Sequence, residues 1–175
     1  MTPQQKTFSK IYDKYIEKIY RFIFLKVNSK EIAEDLTSET FLKAWESFKE
    51  KTEKNEKIEN ISAFLYQIAK NLVFDYYRQK EKFQTLPLDS FQLADSKTNL
   101  QEKEVLNSDF EIVKKALFQL NEDYQNVLIW YYLDGISIRE IAKMLDKSES
   151  ATRVLIHRAL SALRENFDKI QKGIV

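Results

Sequence analysis

The sequence predicts an all-α protein of two small helical domains joined by a flexible linker. Three observations predict it. Among 175 residues there are only two glycines and two prolines, too few for the tight turns of a β-rich chain. Apolar residues recur at steps of three and four through most of the length, the period of a half-buried helix. One stretch, 83–108, loses that period and holds a proline, several Ser, Asp and Asn, and four acids against two lysines; it reads as a linker. The expected division is 1–82, 83–108 and 109–175.

The first helix is expected over 8–27, with Phe8, Ile11, Tyr12, Tyr15, Ile19, Phe22, Ile23 and Val27 inward and lysines between them. A second runs from Glu31 to about Phe48, with Ile32, Leu36, Phe41, Leu42 and Trp45 among its apolar positions. KEKTEKNEKIEN (49–60) is solvated loop or frayed helix end. A third helix, Ser62 to Lys82, turns Leu65, Ile68, Ala69, Leu72, Val73 and Tyr76 inward. Its other face carries Tyr66, Lys70, Phe74, Tyr77 and Arg78. Large rings gain nothing from water, so these aromatics are either a binding face or core beneath another helix.

Past the linker, 109–120 forms a helix with Phe110, Val113, Leu117 and Leu120 on its core side, and 122–133 forms another, rich in aromatics. Asp134-Gly135 is a turn. Ser137 and Glu140 have capping-box spacing and open a short helix with Ile138, Ile141, Ala142 and Leu145 inward. Asp146-Lys147 breaks it, and Ser148 is the N-cap of a last helix to about Asn166.

Two helices joined by so short a turn, with small Ala142 where they cross, have the form of a helix-turn-helix, whose second helix enters the major groove of DNA. On that helix Ala151, Leu155, Ala159 and Leu163 are expected inward. Ser150, Arg153, Val154, His157, Ser161 and Arg164 then point outward. From 150 to 164 there are three arginines, one histidine and no acid, in a chain of net charge +1. Arginine can grip guanine or phosphate, and Ser148 with the first backbone N–H groups can hold a phosphate. An ordinary helical hairpin with a solvated basic side would show the same pattern.

Composition excludes much else. With no cysteine there is no disulfide, thiolate nucleophile or Cys-ligated metal. A single histidine, His157, cannot build a His-rich metal site. No glycine-rich phosphate loop is present. Asp35 and Glu39 lie one turn apart, but no nucleophile or metal set accompanies them, so they read as an acidic face for a basic partner. No enzyme activity, cofactor or metal is expected. The first residues lack a signal peptide's apolar run, and no 18-residue apolar stretch occurs; a cytoplasmic protein without membrane insertion is expected.

AEDLTSETFLKAW (33–45), AFLYQIAKNLVFDYYRQKEK (63–82) and the stretch from ALFQLNEDYQNVLIWYYLDGISIREIAKML to ESATRVLIHRALSALR (116–164) stand in the order and spacing of a known family. Together they resemble the extracytoplasmic-function class of sigma-70 family sigma factors, which carry only regions 2 and 4. The resemblance implies a factor that directs RNA polymerase core to promoters and aids their melting. Region 2 would dock on the β′ clamp helices through Asp35, Ser38, Glu39, Phe41 and Lys43. It would hold the −10 element as a single strand at Asn71, flanked by Tyr66, Lys70, Phe74, Tyr77 and Arg78. Region 4 would read the −35 duplex through Ser148, Ser150, Arg153, Val154, His157 and Arg158, and its first helices would meet the β-flap. An anti-sigma factor is a further implied partner. The chain departs from the family pattern at Ser38 (usually Gln), Phe64 (commonly Trp) and Asp146 (commonly Gly). The rivals are a DNA-binding regulator that never joins polymerase and a helical adaptor that binds only proteins.

Overall fold

The structure, a computed structural model, describes residues 1–84 and 107–173. Most of the expected linker therefore lies outside the described residues; helix enters its two ends, at 83–84 and 107–108. The described residues form seven α-helices and one π-helical turn, with no strand. By contacts the chain divides into two units, Met1–Lys82 with Ala142–Lys147, and Phe83–Ile141 with Ser148–Val175.

In the first unit, α1 spans Pro3–Val27, five residues earlier at its start than expected. Thr2 and Gln5 form a reciprocal capping box, and Pro3 occupies the first turn, where its missing N–H costs nothing. Helix α2 (Lys30–Glu53) outlasts the expected end at Phe48. The Glu50–Lys54 pair, 2.6 Å, supports its last turn. Helix α3 spans Ile61–Gln84. With two glycines in the chain, other residues must supply the left-handed backbone that ends helices. Asn28 (φ 54°) does so after α1 and Asn55 (φ 56°) after α2.

Helices α1 and α2 run antiparallel. Phe8 meets Trp45 and Phe48 at ring separations of 5.2 and 5.5 Å, and Tyr12 meets Phe41 at 4.8 Å. Helix α3 lies alongside α1 in the same direction. The Tyr15 and Ser62 hydroxyls are 2.7 Å apart, Phe22 meets Tyr66 edge-on at 5.2 Å, and the Tyr77 hydroxyl donates to the Lys26 carbonyl. Ile19, Phe22, Ile23, Ala33, Ala44, Leu65 and Ala69 fill the core. Buried Thr37 and Thr40 return their hydroxyls to the carbonyls of Ala33 and Leu36, at 2.6 and 2.7 Å, so neither leaves an unmet donor.

In the second unit, α4 (Asn107–Phe118) and α5 (Glu122–Leu128) both pack on α7 (Glu149–Gln171). The Asn121 side chain caps α5. The expected single helix over 122–133 changes pitch at Ile129–Leu133, a π-helical turn. The wider turn keeps Ile129 and Trp130 buried while Tyr131, Tyr132 and Leu133 face out. Gly135 follows with φ 64°.

The expected core side of α4 holds only in part. Leu117 and Leu120 are buried, but Phe110 is 49% exposed and Val113 is also exposed. The meeting with α7 lies in the last turns of α4, where the Asn166 amide donates to the Ala116 carbonyl.

Helix α6 spans Ile138–Leu145, opened by Ser137, whose hydroxyl accepts from the Glu140 N–H at 3.2 Å. Ala142 is buried. The turn after α6 is a Schellman motif: Asp146 sits at φ 52°, its N–H bonds the Lys143 carbonyl, and the Lys147 N–H bonds that of Ala142. Aspartate thus takes a conformation more often given to glycine. Ser148 caps α7 through the Ala151 N–H at 3.1 Å.

Candidate nucleic-acid and polymerase interfaces

Helix α7 presents the expected outer face. Ser150, Arg153, Val154, His157, Ser161 and Arg164 are all exposed. On a helix of 3.6 residues per turn they share an arc of about 100°. Arg158 is exposed at the edge of that arc. The inner face differs from expectation. Ala151 is exposed, and the buried positions are Thr152, Ile156 and Ala159. The hydroxyl of Ser148 is engaged by its cap, so its first task is to start the helix. Glu149, just outside the acid-free stretch, pairs with Arg153 at 3.6 Å. Both partners are solvated, and such a pair holds by about 1 kcal/mol at most; Arg153 can swing from Glu149 to a phosphate at little cost.

Helix α3 divides its expected face. Tyr66 is 1% exposed and packed on Phe22, so it belongs to the core and cannot stack on a base. Phe74 is 66% exposed, with Asn71 and Arg78 also at the surface and Lys70 half-buried one turn before. The Asn71 side-chain oxygen accepts from the Gln67 side-chain amide at 3.0 Å, and Arg78 pairs with Asp75 at 3.0 Å. Tyr77 is partly covered. Burial, with Tyr76 adding, pushes its phenol above the ordinary value of 10. It therefore stays protonated at neutral pH and keeps its bond to the Lys26 carbonyl, one of the last-turn acceptors that α1 cannot satisfy itself. What remains free is an exposed ring one helical turn from a cation on either side. That arrangement can stack on an unpaired base while holding the adjoining phosphates.

Helix α2 also divides. Asp35, Ser38, Glu39 and Lys43 are exposed, with Lys43 and Glu39 paired at 3.5 Å. Phe41 is 5% exposed and packed on Tyr12; it supports the helix from within and offers nothing to a partner. Ser38 borders a groove of about 510 Å³ between α1 and α2, lined by Ile16, Glu17, Tyr20, Arg21, Phe24, Glu34, Thr37 and Ser38. The α1 side of this groove was missed from the sequence, because only the packed pair creates it.

Among the described residues no cluster of His, Cys, Asp and Glu could hold a metal ion, and no helix is long and apolar enough to cross a membrane.

The pattern of sigma-70 region 2 matches residues 11–83, and that of sigma-70 region 4 matches 110–163. The chain belongs to the sigma-70 family. Within it, the relatives point to the extracytoplasmic-function class. The chain is 32% identical over 157 residues to the extracytoplasmic-function RNA polymerase sigma factor BldN of Streptomyces coelicolor, a match covering 89% of this chain and 58% of BldN. It is 26% identical over 176 residues to SigX of Bacillus subtilis, covering 98% and 89%. Among solved structures it is similar to the sigma factor RpoE of Bartonella quintana, in complex with the anti-sigma factor NepR, with a TM-score of 0.61 and 21% identity over 93% of this chain and 98% of that one. This sigma factor acts in promoter-specific initiation of transcription.

Proposed function

We propose that the three exposed faces divide the work of initiation. The outer face of α7 reads the −35 element as duplex, with Arg153 and His157 at its centre, Ser150 and Val154 beside them, and Arg158 at the margin. On α3, Phe74 stacks on the separated −10 strand, Lys70 and Arg78 hold its phosphates, and Asn71 takes a flipped base. On α2, Asp35, Ser38, Glu39 and Lys43 dock on the β′ clamp helices of polymerase core. The first helices of the second unit meet the β-flap, and an anti-sigma factor covers these faces when the factor is idle. The chain makes and breaks no covalent bonds; binding energy alone drives promoter opening. It works in the cytoplasm, where the polymerase is.

The observation that carries this reading is Phe74. Its ring is 66% exposed, with Lys70 one turn before it and Arg78 one turn after; a ring between cations suits a stacked base with its adjoining phosphates, and a duplex-only regulator has no use for that arrangement. The test is transcription in vitro by purified core polymerase on a library of random promoters, with and without this chain. New start sites sharing paired upstream elements support the reading. No new initiation, with no capture of core in a pull-down, overturns it in favour of a regulator that works apart from polymerase.

A further inference from the structure

Four exposed lysines of this protein pair with a glutamate one turn away. Lys30 pairs with Glu34, Lys43 with Glu39, Lys54 with Glu50 and Lys169 with Glu165. Helix α1 breaks the habit. Lys6, Lys10, Lys14 and Lys18 follow one another at steps of four. Like charges at that spacing repel and weaken a helix. The first three are exposed and the fourth half-buried. Among the described residues none of the four is in an ion pair. Lys14 and Lys18 are instead held over the ring of buried Tyr15, at 5.2 and 5.8 Å. That ring is fixed by the Ser62 hydroxyl of α3.

The row has a direction. Four residues advance a helix by about 6 Å and turn it about 40° past a full circle. The ammonium groups therefore climb α1 while drifting round it, and Lys18 comes nearest the side that meets α3, the side of Tyr15 and Phe22. The acids lie towards the Lys6 side of the row: Asp13 falls just outside it, and Glu17 falls in direction between Lys6 and Lys10, one turn from Lys14. On α3, Lys70 and Phe74 lie just beyond Tyr66, which contacts α1 through Phe22. The end of the lysine row and the exposed α3 face thus open on the same side of the paired helices.

We propose that Lys6, Lys10, Lys14 and Lys18 form a track for the phosphate backbone of a single DNA strand, continuing the surface that begins at Phe74. The proposal rests on the reading of α3 as a strand-binding face. Evenly spaced cations without base-reading groups favour a backbone over a sequence, so the track holds any strand alike. The Tyr15 ring restrains two of the lysines beforehand and reduces what they lose on binding.

The test is fluorescence anisotropy of a labelled oligothymidylate of twenty nucleotides, titrated with the full chain across a range of salt. Each cation on a single strand contributes about 0.7 to the slope of log affinity against log salt. Lys6→Gln, Lys10→Gln and Lys14→Gln together should flatten the slope by about 2 and weaken binding roughly tenfold in dilute salt. The three arginine replacements should restore both. All three residues are at the surface, and their neutralisation removes repulsion, so the melting temperature should hold or rise. An unchanged slope, or no binding of the oligonucleotide by the wild-type chain, overturns the track. Capture of core polymerase by the same proteins is read separately. A glutamine variant that captures core but keeps the full slope defeats the track alone, whereas a wild-type chain that neither captures core nor initiates defeats the sigma reading.

Discussion

Tyr66 and Phe74 stand two turns apart on one helix, and alanine at each should give opposite results. Tyr66 is 1% exposed and edge-on to Phe22 at 5.2 Å. Removing a buried ring of that size costs about 3–5 kcal/mol through lost burial and the cavity left behind, and part of that is the ring pair itself, about 1 kcal/mol. In a unit of this size each 1 kcal/mol moves the melting temperature by about 4–8 °C, so Tyr66→Ala should melt at least about 12 °C lower. Phe74 has little to lose: a substitution at so exposed a site changes stability by about 0.5 kcal/mol or less. Its loss should appear in strand binding, where a stacked base is worth about 1–3 kcal/mol. The assays are calorimetric melting of each variant and binding of a forked promoter fragment by the reconstituted holoenzyme. If Tyr66→Ala melts like the wild type and loses only strand binding, the assignment of Tyr66 to the core is wrong.

Four further outcomes are expected. Ser148→Ala removes the side-chain acceptor for the Ala151 N–H and should cost about 1 kcal/mol, read by thermal melting. Asp146→Gly relieves a left-handed residue and should stabilise by up to about 1 kcal/mol, while Asp146→Val should destabilise, both read in the same way. Arg153→Ala should weaken binding of −35 duplex and reduce its salt slope by about 0.9, read by anisotropy; an unaltered slope would mean that Arg153 stays with Glu149. The Glu165 carboxyl is held below its usual 4.5 by a hydrogen bond and the charge of Lys169. The hold on the last turns of α7 is therefore complete above the unfolded value and is lost as pH falls through the lower folded one. Amide protection at 165–171, taken relative to the intrinsic exchange rate at each pH, should fall in acid, and Lys169→Gln should remove that pH dependence.

Helix positions were legible because period and caps are local. Ser148 and the Ser137–Glu140 spacing mark their helix starts in the sequence itself; Asn121 before α5 was as visible but was not among the expected caps. The Thr2–Gln5 box around Pro3 was equally visible and went unread, as did Asn28 and Asn55, whose left-handed role is more often given to glycine. The errors on the faces of α3 and α7 share one geometric cause. A stripe drawn at steps of four turns about 40° per step, so Tyr66, Lys70, Phe74 and Arg78 begin in the core and end in solvent. By the same drift Ala151 is exposed, Leu155 half-buried and Ala159 buried, and Leu163 is half-buried again. Phe41 was misplaced because its neighbours in sequence face a partner while its own ring faces Tyr12 across a helix pair. The α1–α2 groove belongs to no segment alone, and no local pattern announces it.

Helix α7 carries two independent texts on one rod. Its inner positions, Thr152, Ile156 and Ala159, answer to the helices packed on them, and its outer positions answer only to what arrives from solution. Substitution at Ser150, Arg153, Val154 or His157 leaves those inner contacts alone, so on the proposed −35 reading the preferred upstream element can drift in a descendant while its fold stays still. The inner face has no such freedom: a change at Ile156 disturbs the support of every outer residue at once, and it would show as general loss of binding, never as a new preference.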